Sequence, residues 1–326
     1  NGKYEFHLVY VVRVSTQLSH GPANYICYVD ANNGDLLMRM NTVLYEAPPQ
    51  ANIHVEGEVY STHPFNPSSV ENLINLRVQK GGGNYYTDSL GNANIPGSGS
   101  ATFSLEGLFA EVQTNGGIPS FNSQLSNTNI SFDNSNSTIQ ERTAFYSVNK
   151  IHDHLKSVFP TFTGLDYALE TNIDVQGSCN AYYDGTINFF AEGNGCNATA
   201  KIPDVVYHEY GHGISNRLTG GANNTSCLNN AEQMGEGWSD YVGLMLTMEP
   251  GDQGSDIRGI GTYATGQPVD AQGIREAPYS TDFAVNNYTY ADSNNNVSQP
   301  HGIGFVWATM LWDMTWLLID EYGYDP

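Results

Sequence analysis

The chain has 326 residues, of which 40% are hydrophobic, so a packed core is expected and wholesale disorder is excluded. Asp and Glu number 34 against 12 Lys and Arg, giving a formal net charge of −22. This charge excludes a basic nucleic-acid-binding surface and disfavours binding to anionic membranes, so neither partner is expected. Only 14% of residues are charged, a composition typical of secreted proteins, and we expect an extracellular location.

The first 45 residues predict a small β-sheet. Residues 4–14 are rich in aromatic and β-branched side chains, which favour strands. Residues 25–30 and 35–40 flank Asn33-Gly34, a dipeptide that favours a hairpin turn. The proline pair in residues 47–50 then predicts a linker.

The rest of the chain reads as strands first and helices later. Residues 51–130 contain short strand-like runs separated by Gly, Asn, Pro and Ser, and a further strand-like segment spans 170–191. Helical spacing of apolar residues predicts one helix that ends before Pro160. Three more helices are predicted at about 203–218, 231–248 and 301–321, and this order indicates an α+β fold. The apolar run 303–319 contains Asp313, which favours a buried helix over a membrane span.

The strongest motif is His208-Glu209-Tyr210-Gly211-His212, an H-E-x-x-H pattern on a predicted helix. Histidines at i and i+4 project from one face, so two ring nitrogens can meet one metal ion. Glu209 lies between them and can hold a metal-bound water without itself being a ligand. The alternative interpretation is an ordinary helix that carries two surface histidines.

Glu236 and Asp240 supply what a catalytic zinc site still needs. Zinc sites of this kind use a third protein ligand and keep one position open. Glu236 lies on the next predicted helix, and Asp240 is four residues further on, on the same face. Asp240 can accept the second N–H of a ligand histidine, and like charges at this spacing repel unless a cation holds them. The helix also contains Gly211 and Gly213, which predict a close approach of another backbone or of a substrate.

These motifs, namely residues 208–221 together with 236–240, resemble the thermolysin-like zinc peptidases and more specifically the fungalysin family. The resemblance covers about residues 100–320. It implies a two-lobed domain with a β-rich first lobe, a helical second lobe and one zinc ion in the cleft between them. It also implies roles for individual residues: His208, His212 and Glu236 as zinc ligands, Glu209 as general base and proton shuttle, and Asp240 as the residue that orients a ligand histidine.

The resemblance implies further residues around the substrate. His301, in Pro300-His301-Gly302, matches the histidine that stabilises the oxyanion, with an unremarkable residue at a helix start as the alternative. Asn180 and Ala181 match the edge strand that binds the substrate backbone, with an ordinary hairpin strand as the alternative. Arg275 matches an arginine near the substrate carbonyl, or is a surface arginine. No tyrosine can be matched to the second oxyanion donor.

Residues 1–46 resemble the end of the propeptide that precedes the fungalysin catalytic domain. The predicted domains are therefore 1–46, the C-terminal part of an inhibitory propeptide, and 47–326, a catalytic domain incomplete at its C-terminus. In the alternative, residues 1–46 are an integral first sheet of the enzyme.

Four cysteines are present: Cys27, Cys179, Cys196 and Cys227. None forms a C-x-x-C pair, which argues against a cysteine zinc site and for one or two disulfides. Cys179 and Cys196 bracket the proposed substrate hairpin and are predicted to be bonded, whereas Cys27 and Cys227 are predicted not to pair with each other. The oxygen-rich loops 133–136 and 292–296 have the ligand types that calcium binds, but neither fits the EF-hand spacing, which favours solvated loops over calcium sites.

The sequence thus predicts a secreted zinc endopeptidase that cleaves protein or peptide substrates, here as a proenzyme or a nicked complex with its own propeptide. Two alternatives remain at this stage. One is an aminopeptidase with the same metal motif, which needs an acidic pocket for the substrate amine. The other is a non-catalytic binding module that keeps the fold.

Overall fold

The computed structural model describes residues 6–18, 21–43, 50–224, 234–294 and 296–324. The chain divides into two compact units, Asn1–Pro49 and Gln50–Pro326. The first unit is an antiparallel sheet in the order β1 (Val9–Leu18), β2 (Gly21–Asp30), β3 (Leu36–Asn41). A tight turn joins β2 to β3, which confirms the predicted hairpin. The linker predicted at residues 47–50 lies, up to Pro49, outside the described residues.

The second unit opens with strands that form two sheets across its described residues. The larger sheet has the order β14-β15-β13-β10-β9-β6-β7 with β11 on β9, and the smaller has the order β12-β4-β5 with β8 on β4. β13 pairs in parallel with both β10 and β15. The strands are β4 (Gln50–Val59), β5 (Ser69–Asn72), β6 (Leu76–Lys80), β7 (Gly83–Tyr86), β8 (Asn92–Pro96), β9 (Ser100–Gly107), β10 (Ala110–Gln113), β11 (Ser120–Gln124), β12 (Asn129–Phe132), β13 (Leu169–Val175), β14 (Ala181–Tyr183) and β15 (Ile187–Phe190).

The helices are α1 (Ile139–Val158), α2 (Pro203–Gly220), α3 (Met234–Leu246) and α4 (His301–Tyr322). α1 begins with a capping box in which Thr138 and Glu141 satisfy each other's backbone N–H groups. α2 begins at Pro203, whose fixed φ suits the first helical position. α3 ends two residues before the predicted Met248, because the Thr247 hydroxyl bonds the Gly243 carbonyl and Pro250 follows. Residues 231–233, predicted to open α3, lie outside the described part.

Two hydrophobic cores organise the second unit. The larger one joins both sheets to α1 and to the inner face of α2, around side chains such as Phe103, Phe145 and Tyr207. The smaller one lies among α3, α4 and the irregular segment between them, around Tyr279, Phe305 and Trp312. The mixed α and β content agrees with the predicted fold class.

Glycines allow α2, α3 and α4 to pack backbone against backbone. A Cβ at Gly211 of α2 would lie 2.9 Å from the Ser239 Cα of α3, and a Cβ at Gly237 would lie 2.3 Å from the Gly304 carbonyl oxygen of α4. The close approach predicted at Gly211 is therefore confirmed. At Gly213 the nearest groups are side chains of Arg217 and Leu165 instead. The tight packing places Glu236 of α3 and His301 of α4 beside the histidine helix.

α4 is long and apolar enough to cross a membrane by length and composition, but 61% of its most apolar window is buried inside the protein. This burial is what the sequence predicted for residues 303–319.

Candidate metal centre and cleft

His208, His212 and Glu236 come together at the junction of α2 and α3. The Nε2 atoms of the two histidines lie 3.2 Å apart, and Glu236 oxygens lie 3.4 Å from the Nε2 of His208 and 3.8 Å from that of His212. Tetrahedral zinc with bonds of about 2.0–2.2 Å separates its ligand atoms by about 3.4 Å. The three side chains therefore have the spacing of ligands that share one ion.

Glu236 gives a second sign that the site fits a cation. Its Oε2 atom is buried and accepts no hydrogen bond from any residue that the structure describes. A buried carboxylate oxygen without a donor is costly unless a cation lies beside it. In the described part of the chain, these three residues are also the one group of His, Cys, Asp and Glu with the spacing of a metal site.

Asp240 lies behind the histidines and is fully hydrogen-bonded. Its Oδ1 lies 2.7 Å from His208 Nδ1, and Arg275 donates to both of its oxygens at 2.7 Å. The Tyr279 hydroxyl donates to Oδ2 at 2.6 Å. Burial opposes ionisation of Asp240, but Arg275 and His208 outweigh it and hold the pKa of Asp240 well below its usual range. A carboxylate at Nδ1 fixes the His208 ring with Nε2 towards Glu236 and His212.

Glu209 lines the same cleft, whose volume is about 490 Å³, without being one of the three clustered groups. Its side chain is nearly buried, with 5% of the residue exposed. Burial raises the pKa of Glu209 to about 7, with His208 opposing and Glu236 reinforcing the rise. Because it follows His208 directly on α2, Glu209 faces the cleft beside the cluster rather than joining it.

The structure brings His301 and Arg275 to the cleft, in different settings. His301 opens α4, its side chain is 54% exposed, and its Nε2 lies 3.5 Å from Glu236 Oε2. Arg275 is only 7% exposed, and its guanidinium is occupied by Asp240. Arg275 is therefore not the surface arginine that the sequence left open as an alternative.

Asn180 and Ala181 lie at the border of the cleft, where β14 forms the edge of the larger sheet in the described part of the chain. Ala181 pairs with Phe189 of β15 on the inner side. The Asn180 carbonyl accepts hydrogen bonds from Thr199 and Phe190, so the strand is held from behind. Its outer side faces the cleft.

A disulfide joins Cys179 to Cys196, as the sequence predicted. It ties the residue before Asn180 to the segment that leads into α2, so the edge strand and the histidine helix share a covalent anchor. Cys27 is a free, buried cysteine among the described residues, and Cys227 lies outside them.

The oxygen-rich loops form their own hydrogen bonds. Asp133 accepts from the Ser135 N–H and hydroxyl, and Asp292 accepts from Thr289 and Asn296. Calcium at these loops stays a prediction.

Sequence reasoning missed Tyr279 and the Asp240–Arg275 pair. Arg275 and Tyr279 lie 35 and 39 positions after Asp240, in an irregular segment, and both side chains reach its carboxylate. No local spacing marks such a contact, because a loop carries no periodicity that aims its side chains.

Comparison with known proteins agrees with this site. Residues 192–326 match the family described as Fungalysin metallopeptidase, and residues 66–216 match Thermolysin metallopeptidase, catalytic domain. Extracellular metalloproteinase 2 of Arthroderma gypseum is 38% identical over 205 residues, which is 55% of this chain and 32% of that protein. Extracellular metalloproteinase mep of Aspergillus fumigatus is 47% identical over 121 residues, covering 36% of this chain and 18% of its own length. Extracellular metalloproteinase 10 of Coccidioides posadasii is 35% identical over 204 residues, with coverages of 55% and 32%.

The chain thus spans about a third or less of the length of these curated relatives. The matched segments nevertheless include both histidines, Glu236 and the strands and helices around them. Together, the motif, its geometry and these matches show that the chain is similar to the fungalysin family of metallopeptidases over residues 192–326.

Proposed function

We propose that this chain carries the active site of a secreted zinc endopeptidase. The observation that carries the proposal is the cluster of His208, His212 and Glu236 with Glu209 beside it in one cleft. Two imidazoles and one carboxylate are a ligand set that zinc favours in hydrolytic enzymes. The relatives are named extracellular metalloproteinases, which supports both the reaction and the location.

Zinc bound by these three residues would polarise the scissile carbonyl and lower the pKa of water. The Glu209 carboxylate takes a proton from the attacking water and then passes it to the leaving amine. Asp240 accepts the Nδ1–H of His208 and thereby keeps the Nε2 lone pair directed into the site.

The residues around the cleft position the substrate in this proposal. β14 offers its outer edge at Asn180 and Ala181 to an extended peptide, which adds to the sheet as a further strand. The exposed His301 ring donates to the oxyanion that forms at the scissile carbonyl. Arg275 acts chiefly through Asp240, because both of its hydrogen bonds to that carboxylate are already made.

We also propose that the cleft lies between two lobes, and that residues 1–46 are the end of an inhibitory propeptide. A sheet of its own in the first unit, with the boundary after Pro49, supports this interpretation. Insertion of a cleavage site for a specific protease between residues 46 and 50 tests the propeptide. We expect peptidase activity to rise after the cut. Unchanged or lost activity would favour an integral first sheet.

The substitution Glu209→Gln tests the catalytic proposal. The amide cannot take the proton, so we expect peptidase activity to fall at least about 10³-fold with unchanged zinc content. Glu192→Gln is the matched control. It makes the same chemical change at a glutamate that is 64% exposed and lies away from the cluster. Near wild-type cleavage of casein by the Glu209 variant would refute the mechanism. It would leave the non-catalytic module as the better interpretation of the fold.

A further inference from the structure

We propose that the cleft selects substrates with a basic side chain close to the scissile bond, and that Asp184 is the residue that binds it. This inference rests on the proposed peptidase function and adds a substrate class to it. The observations behind it are the charges that line the cleft, the position of Asp184 on the edge strand and the net charge of the whole chain.

The charged groups of the cleft leave Asp184 without a counter-charge. Glu209 and Glu236 face the metal centre, where a divalent cation would offset both. Arg275 is buried and paired with Asp240, so its charge is already balanced. Among the described residues that line the cleft, Asp184 is the remaining carboxylate, and it has no salt-bridge partner within the described part of the chain.

The local structure of Asp184 holds one oxygen and leaves the other available. Its Oδ1 accepts from the Thr186 N–H at 3.1 Å, from the Thr186 hydroxyl at 2.7 Å and from Asn188 Nδ2 at 3.2 Å. No donor among the described residues bonds Oδ2, and the residue is exposed. The side chain is thus fixed in orientation while Oδ2 can still accept a hydrogen bond, and this lowers the entropy lost when the carboxylate binds a cation.

Asp184 directly follows Tyr183, the last residue of β14. A peptide that pairs with this strand runs past Asp184 at one end, where one of its side chains comes next to the carboxylate. The selection should therefore act at one substrate position rather than along the whole peptide. An ammonium or guanidinium group is the matching chemistry.

The net charge of −22 favours the same substrates over a longer range. A strongly negative protein attracts cationic peptides and repels anionic ones, and salt weakens both effects. This steering depends on the sum of many charges, whereas the contact at Asp184 depends on one. The two contributions can therefore be separated by substitution and by ionic strength.

The test uses the whole protein and peptides that share one scissile bond, each made with and without an N-terminal acetyl group, with a single Lys, Gln or Glu moved through the flanking positions. We expect kcat/KM to favour Lys over Glu by about 3- to 10-fold at one position, since an exposed ion pair changes binding only a few-fold. Asp184→Asn keeps the Oδ1 turn and should reduce the preference at that position to below about 2-fold. Cleavage of the Gln peptide should change less than cleavage of the Lys peptide.

Asp133→Asn is the matched control, because Asp133 is exposed and accepts from the N–H and hydroxyl of Ser135 in the same i to i+2 pattern, outside the cleft. It removes the same charge and should leave the position-specific preference intact. An equal loss in both variants would overturn the role of Asp184 and leave only steering. A preference for a free N-terminal amine over a lysine side chain would also overturn it and indicate an aminopeptidase. If Glu209→Gln still cleaves every peptide, the peptidase proposal itself fails.

Discussion

Glu236 and Asp240 lie one turn apart on α3, and both contact His208, yet their surroundings are opposite. Asp240 is saturated by donors from His208, Arg275 and Tyr279. Glu236 keeps a buried oxygen that no described residue bonds. The difference illustrates two uses of a buried carboxylate. A carboxylate that accepts several hydrogen bonds fixes the side chains around it, whereas a carboxylate oxygen without a donor is suited to bind a cation.

This contrast also predicts effects of different size on stability in the absence of metal. The Asp240 network replaces the hydration that its members lose on folding. Glu236 has no hydrogen-bond donor on Oε2 among the described residues, and only the imidazoles of His208, His212 and His301 offset its burial and hold its pKa at about 2. Substitutions at the two positions can therefore be compared in both the metal-free and the metal-bound protein.

The largest effect is expected for Glu236→Gln. Loss of a charged ligand should abolish stoichiometric zinc binding and reduce peptidase activity by at least about 10³-fold. The metal-free variant should lose less stability than metal-free Asp240→Asn, because His208 keeps Asp240 as its partner and no buried charge is left unpaired. Metal analysis and chelator-treated denaturant unfolding measure the two effects. A stability loss as large as that of Asp240→Asn would break the contrast.

Asp240→Asn should show the reverse pattern. The change leaves Arg275 buried without its partner, so we expect unfolding free energy to fall by about 3–5 kcal/mol even without metal. Zinc affinity should fall about 10- to 100-fold, since His208 loses the acceptor that orients it. Zinc competition titration and denaturant unfolding check this. A stability loss without weaker zinc binding would reduce Asp240 to a packing role.

Removal of the disulfide, by changing Cys179 and Cys196 to serine together, sharpens the comparison from outside the metal centre. Loss of the cross-link should reduce the unfolding free energy by about 3 kcal/mol. It should raise KM more than it lowers kcat, because the bond anchors the substrate strand and not the zinc ligands. Zinc content should be unchanged. A variant that loses zinc would show that the strand and the metal centre are not separable.

Tyr279→Phe is expected to have the smallest effect. It removes one of the hydrogen bonds to Asp240 while the aromatic ring can still pack on Phe305. We expect a loss of about 1–2 kcal/mol of stability and a zinc affinity only a few-fold weaker. Thermal unfolding and zinc titration measure both. An effect as large as that of Asp240→Asn would mean that the network depends on Tyr279 rather than on Arg275.

The sequence could place the residues whose positions follow the helical repeat. His208, Glu209 and His212 are fixed by helix geometry, and Asp240 follows Glu236 by one turn. Gly211 predicted a close approach of another backbone, and Ser239 of α3 lies against it. The edge position of β14 was implied by the resemblance to the fungalysin family, and the disulfide was predicted because Cys179 and Cys196 bracket that hairpin.

The parts that sequence could not place come from irregular backbone. Arg275 was matched to a substrate contact, but its packing against Asp240 depends on the path of a segment without repeats. Tyr279 carried no signal, since a tyrosine in a loop is usually unremarkable. The position of Asp184 at the cleft depends on the strand order of the sheet, which no local spacing gives.

The central claim is that His208, His212 and Glu236 bind one zinc ion. Anomalous scattering at the zinc edge from crystals of the intact protein tests it most directly. We predict one strong peak, at about 2.0–2.2 Å from the Nε2 atoms of both histidines and from a Glu236 carboxylate oxygen. A fully occupied zinc site elsewhere, or no peak between α2 and α3 in protein supplied with zinc, would contradict the account.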